Sequence, residues 1–219
     1  MTRPGGWIAV TQRRVRFAER GEEGDYLDAR WMPLLAGHRV ALVPNDVGAA
    51  RALLAGLPLT AIVLSGGNDL PSAPGATDHA PTRDAVEDWL LHHAEQHGTT
   101  VIGICRGAQA IAMRAGARLT DDAPRHAGTR HQVTAVRATA WSWPAAFTVT
   151  SHHRHVLPTG SWPAVLPVIA VADGGDTVEA FTHACLPWWG LMWHPEREQP
   201  PGPATRALSH LLTHAPQSV

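Results

Sequence analysis

The chain has 219 residues, 44% of them apolar, with 20 glycines spread along it; that is enough to bury one sizeable core, so a single domain over 1–219 is expected. Its 18 Lys and Arg stand against 19 Asp and Glu, a formal net charge of −1, and no basic run could track a phosphate backbone, which argues against a nucleic-acid partner. No stretch approaches the roughly 18 uninterrupted apolar residues of a membrane span, and Met1-Thr2-Arg3-Pro4-Gly5-Gly6 runs straight into a strand-like segment rather than a signal-peptide core, so a cytoplasmic protein without a membrane partner is expected.

In chain order, the apolar run Trp7-Ile8-Ala9-Val10 reads as a strand, residues 26–35 as helix-permissive, and Val40-Ala41-Leu42-Val43 as a second strand before Pro44-Asn45-Asp46. Residues 49–57 then read as a helix and Leu59–Leu64 as a buried strand, capped directly by the turn Gly66-Gly67-Asn68-Asp69. Pro81 opens a helix with Thr82 as its cap and Val86, Trp89, Leu90 and Ala94 as its apolar positions. Thr100–Ile104 follows as a strand, Cys105 falls at its end, and Arg106–Arg114 is rich in helix formers with Gly116 as the stop. This alternation predicts an α/β fold with a mostly parallel, doubly wound sheet and helices on both faces.

After Gly116 the pattern changes to short strand-like pieces at 131–136, 147–150, 168–172, 177–181 and 191–193, broken by Pro, Gly and Asp, with a last helix at 204–212. The second half is therefore expected to be β-rich. Residues 19–24 and 71–80 read as loops, and neither marks a domain boundary.

Only Cys105 and Cys185 are present, too few for a disulfide framework. Cys105 lies in Gly103-Ile104-Cys105-Arg106-Gly107, a G-x-C-x-G pattern that places a nucleophile on a tight strand-to-helix turn. There the thiol faces the amide end of a helix, which favours thiolate, and the Arg106 N–H can meet a developing oxyanion. Alone, the pattern fits a small buried filler about as well.

Trp193-His194-Pro195-Glu196-Arg197 supplies a base and a carboxylate to orient it, since side chains at i and i+2 of an extended segment share a side. His194 can take the thiol proton and return one to a leaving amine while Glu196 stabilises the imidazolium. With 14 histidines in the chain a satisfied loop residue is the alternative, but the place after an apolar strand and before Pro-Glu singles His194 out.

Gly103-Ile104-Cys105-Arg106-Gly107-Ala108-Gln109 together with Trp193-His194-Pro195-Glu196 resembles the class I glutamine amidotransferase superfamily, whose fold is flavodoxin-like. The Ile-Cys-Arg-Gly form resembles its γ-glutamyl-γ-aminobutyrate hydrolase branch, peptidase C26-like, with a further likeness to γ-glutamyl-CDP-amidate hydrolase-type members. Leu64-Ser65-Gly66-Gly67-Asn68-Asp69 resembles the family's oxyanion loop and Ser151-His152-His153 its substrate-side strand. The resemblance implies that the Gly67 N–H joins the Arg106 N–H in the oxyanion hole, and that Gln109, Ser151, His152 and His153 bind the glutamyl group. Gln109 lies one turn beyond Cys105; an ordinary helix-surface glutamine is the alternative.

Other features pull in different directions. His152, His153 and His155, or His93 and His97 at i, i+4 spacing, invite a metal reading, but no Cys or carboxylate cluster closes either set, so no metal and no cofactor are expected. Trp188, Trp189 and Trp193 could form a stacking surface, although core packing is the commoner fate. Arg13 and Arg30 fall near the crevice end of the sheet, and by resemblance could contact an anionic leaving group; surface pairing with nearby acids is the alternative.

The leading expectation is a hydrolase acting on a small γ-glutamyl substrate. A glutaminase subunit that passes ammonia to a separate synthetase partner, and a catalytically silent binding protein, are the alternatives. A homodimer is left open.

Overall fold

The computed structural model describes residues 6–141 and 143–214; the opening segment read above as lacking a signal core lies, apart from Gly6, outside the described residues. Strand β1 (Trp7–Thr11) leads into a hairpin, β2 (Arg13–Phe17) and β3 (Glu22–Tyr26), then helix α1 (Trp31–Leu35), β4 (Arg39–Val43), α2 (Val47–Leu54) and β5 (Leu59–Leu64). Helix α3 (Pro81–His97), β6 (Thr100–Ile104) and α4 (Arg106–Arg114) complete the first half. The second half holds β7 (Thr120–Asp121), α5 (Ala123–His126), β8 (Ala127–Ala135), β9 (Ala146–His152), β10 (His155–Val156), β11 (Val168–Ala172), β12 (Thr177–Thr182), β13 (Trp188–Leu191) and α6 (Pro203–His214).

One nine-stranded sheet runs β4-β1-β5-β6-β13-β12-β11-β8-β9. Its first five strands pair in parallel, and β12, β11, β8 and β9 extend it by antiparallel pairing. Strands β5 and β6 are continuous apolar runs because both of their faces are covered. Leu54, Val86, Leu90 and Ile111 pack α2, α3 and α4 on one face. Trp31, Leu35, Leu208 and Leu211 pack α1 and α6 on the other.

Three local expectations needed correction. Residues 13–26 form the exposed β2–β3 hairpin rather than a loop running into a long helix, and the helix shrinks to Trp31–Leu35. Apolar alternation is weak there; cross-strand charge pairs, Arg16 Nε to Glu23 at 2.8 Å and Arg14 Nε to Asp25 at 3.0 Å, mark it instead. Helix α3 starts on Pro81 at its first position, with Ala80 before it and no side-chain cap, so Thr82 is not the cap. The strand expected at 191–193 lies three residues earlier, at Trp188–Leu191. There Gly190 admits the Phe181 ring, whose Cζ would stand 2.2 Å from a Cβ at that position. Trp188 and Trp193 are core residues, which removes the stacking-surface reading for both.

Candidate active site

Cys105 sits at the carboxyl end of β6 with φ +52° and ψ −108°, a conformation L residues rarely adopt. Its N–H donates to Leu191 O at 2.8 Å, and its carbonyl accepts the Gln109 N–H at 3.0 Å as α4 begins. The turn needs both flanking glycines. A Cβ on Gly107 would stand 2.1 Å from Leu64 O, and one on Gly103 would stand 2.5 Å from the Gly107 backbone. Helix α4 therefore presses onto β5 and β6, and the strained backbone of this turn falls on Cys105.

β13 delivers His194 to the same end of the sheet through buried Met192 and Trp193. The chain then folds into a short 3-10 turn, Pro195–Arg197, instead of running extended as the sequence reading supposed. That turn still brings Glu196 Oε1 to 2.6 Å from His194 Nδ1, which leaves Nε2 for the sulfur. Burial alone would lower the His194 pKa, but the adjacent Cys105 sulfur, which hydrogen-bonds the ring, and the Glu196 carboxylate outweigh it and raise it to about 10. Imidazolium is the favoured form at neutral pH.

The loop after β5 closes the third side. A Cβ on Gly66 would stand 2.8 Å from His194 Cε1 and 3.5 Å from Cys105 Cβ, so the Gly66 backbone lies directly against the pair. Gly67, with φ +86°, packs instead beside the Arg13 side chain. Buried Arg83 holds the loop from behind: its Nη2 donates to Ser65 O at 2.6 Å and its Nη1 to Gly66 O at 3.1 Å and Gly67 O at 2.5 Å. Asn68, at φ +59°, exchanges side-chain hydrogen bonds with the Arg14 backbone at 3.0 and 2.9 Å, which ties the loop to the hairpin.

Arg83 in turn donates through Nε to Glu87 Oε1 at 2.8 Å, and the same oxygen accepts the Thr11 hydroxyl at 2.9 Å. The other Glu87 oxygen pairs with Arg106, whose guanidinium also pairs with Asp84. Burial would raise the Glu87 carboxyl, yet Arg106 and Arg83 hold it below its ordinary value. One buried carboxylate thus links the glycine loop to the residue that follows Cys105.

The other expected site residues divide. The His152 ring stands edge-on to His194, centroids 5.6 Å apart. The Ser151 hydroxyl is buried with no hydrogen-bond partner. Gln109 is buried and donates through Nε2 to His155 O at 2.9 Å, which joins α4 to β10. His153 turns away from the site, its Nε2 3.7 Å from Glu179. Arg13 lines the small cavity next to His194, paired to Asp78 at 3.1 Å, while Arg30 pairs with Asp28 at 2.6 Å. The Arg30 hydrogen bonds outweigh partial burial and bring the Asp28 pKa down to about 2. Both arginines sit half-exposed, each with a carboxylate partner.

Residues 8–196 match the profile of the family described as peptidase C26. The chain belongs to the peptidase C26 family. Among its relatives, this family member is 30% identical over 140 residues to a γ-glutamyl-CDP-amidate hydrolase of Campylobacter jejuni, covering 64% of each chain. It is 32% identical over 135 residues to anthranilate synthase component 2 of Mycobacterium tuberculosis, 61% of this chain and 57% of that one. Each alignment thus spans less than two thirds of the relative. For the fold, a GMP synthase subunit of Thermoplasma acidophilum superposes with a TM-score of 0.68 at 22% identity, covering 96% of both chains. The mixed sheet with helices on both faces is that of flavodoxin-like glutamine amidotransferase structures.

Sequence reasoning named the Gly66-Gly67 loop but gave no part to Thr11, Arg83 and Glu87. A signal was there: Arg83, Glu87, Leu90, Leu91 and Ala94 recur at helical spacing on one face of α3, all buried. An Arg–Glu pair at i, i+4 on an apolar face has to meet other buried polar groups.

Proposed function

We propose that this C26 member is a cysteine-dependent hydrolase that cleaves a γ-glutamyl amide and releases glutamate. The observation that carries the reading is the meeting of the strained Cys105 with His194, itself held by Glu196 at 2.6 Å. An imidazolium beside the sulfur favours thiolate, which attacks the γ-carbonyl. The Gly67 and Arg106 N–H groups receive the oxyanion. Collapse breaks the C–N bond, and the amine leaves with the proton from His194. The now neutral imidazole takes a proton from water, whose oxygen attacks the thioester; glutamate departs and the Cys105–His194 pair is restored. No step calls on a cofactor. Gln109, Ser151 and His152 would contact the glutamyl group.

For the leaving group, similarity to a γ-glutamyl-CDP-amidate hydrolase favours a phosphoramidate or nucleotide conjugate over a simple amine. Arg13 and Arg30, on the rim and each already paired to a carboxylate, would contact its phosphate. A second reading, a glutaminase subunit that supplies ammonia to a separate synthetase, draws on the similarity to anthranilate synthase component 2.

A panel assay of glutamate release from glutamine, γ-glutamyl amines and γ-glutamyl phosphoramidates tests both, with Cys105→Ser as control. Turnover by the purified chain, absent in the control, is expected. Activity that survives in Cys105→Ser would refute the mechanism, and activity on glutamine that appears only with an added synthetase would favour the second reading.

A further inference from the structure

Behind the end of β9 lies a buried polar cluster that the proposed hydrolysis does not use. Glu179, in the middle of β12, is 1% exposed and flanked by the core residues Val178 and Ala180. Three imidazole nitrogens surround its Oε1: His131 Nε2 at 3.5 Å, His126 Nδ1 at 3.6 Å and His153 Nε2 at 3.7 Å. Charge-assisted hydrogen bonds are shorter, about 2.7–2.9 Å. The separations from Glu179 Oε1 are those expected of ligands about 2.0–2.1 Å from one tetrahedral ion, which stand about 3.4 Å apart. The ligand atoms of His126, His131 and Glu179 all lie within 4.8 Å of one another.

Proton placement points the same way. His153 Nδ1 lies 3.0 Å from His155 O, an acceptor, so Nδ1 carries a proton, and in the neutral ring the Nε2 lone pair faces Glu179. An imidazole that gives its second N–H to a backbone carbonyl is the usual arrangement of a metal ligand. Without a cation between them, a lone pair would face a carboxylate oxygen inside the protein. Among the described residues, His153 Nε2 and Glu179 Oε2 are both buried without a hydrogen-bond partner.

We infer that His126, His131 and Glu179, with His153 beside them, form a buried site for one divalent cation of the zinc class. Imidazoles and a carboxylate are a zinc donor set, and the buried position separates the ion from Cys105 and His194. The ion would join β8, the end of β9 and β12, and so brace the strand that carries Ser151 and His152. The sequence alone did not disclose this, because the carboxylate that closes the set lies 26 positions beyond His153 on another strand.

The test strips the full-length protein with a chelator and then titrates it with Zn²⁺ against a chromophoric competitor, and with Co²⁺ by visible absorption. One equivalent of Zn²⁺, an intense tetrahedral Co²⁺ spectrum and a Tm that rises with Zn²⁺ are expected. Glu179→Gln and His131→Ala should each weaken binding at least about tenfold. The stacked pairs His93–His97 and His210–His214 offer an adventitious surface site, so a His97→Ala/His214→Ala variant is the control and should keep its equivalent. Loss of a buried ligand can unfold the chain, so the wild-type titration and this control decide the matter. Zinc binding that vanishes in the control, an octahedral Co²⁺ spectrum, or no uptake by the wild-type protein overturns the proposal.

Discussion

The two parts of the sheet treat buried polar groups in opposite ways. In the parallel part, Arg83 donates to Ser65, Gly66, Gly67 and Glu87 at 2.5–3.1 Å, and Glu87 also accepts from Thr11. In the antiparallel part, three histidines stand 3.5–3.7 Å from Glu179, beyond good hydrogen-bond distance. The first arrangement is held by the chain's own groups and fixes the surroundings of Cys105. The second leaves His153 Nε2 and Glu179 Oε2 without a partner among the described residues, which is where the inferred cation would sit. Rigidity around Cys105 is therefore built into the fold, whereas rigidity of the strand that carries Ser151 and His152 would depend on what the cluster holds.

Substitutions can break this comparison at several points, in falling order of expected effect. His194→Ala should lower kcat about 10³–10⁴-fold with an unchanged circular dichroism spectrum, because it removes the proposed proton-transfer group without altering an apolar core residue. Glu87→Gln should cost about 3–5 kcal/mol in chemical denaturation, since Arg83 and Arg106 keep their charges in a buried place without their shared partner. Gly107→Ala should cost about 1–3 kcal/mol, because its methyl meets Leu64 O at 2.1 Å and the strand must shift. Arg13→Ala should change stability by less than about 1 kcal/mol, its ion pair with Asp78 being half-exposed. Its expected readout is a raised KM for phosphoramidate substrates alone.

The pH dependence of His194 sharpens the contrast. Its folded pKa is raised to about 10 although burial opposes this, because Cys105 and Glu196 favour the charged ring. The stability gained is complete below the unfolded value of about 6.5 and is lost as pH rises through about 10. Following the ring by NMR should show a midpoint far above neutrality, and Glu196→Gln should lower it. A wild-type midpoint below 7 would contradict the ion-pair description.

The sequence disclosed what local patterns encode. Leu59–Leu64, Thr100–Ile104 and Arg106–Arg114 are long or strongly apolar segments and were read at their observed bounds. Cys105, His194 and Glu196 came from short motifs, although the extended segment invoked for His194 and Glu196 is in fact a 3-10 turn. The β2–β3 hairpin escaped because exposed charge pairs, not an apolar rhythm, specify it. The Arg83–Glu87 brace and the Glu179 cluster escaped for a different reason: their partners come from strands and loops far apart in the chain, and only the fold brings them together.

The most direct test of the proposed chemistry is the intact mass of the protein after reaction with a glutamine-analogue electrophile. The account predicts one covalent adduct, located on Cys105 by peptide mapping, formed at least about 10²-fold more slowly in His194→Ala. An unmodified Cys105, or label found on the exposed Cys185 instead, would contradict it.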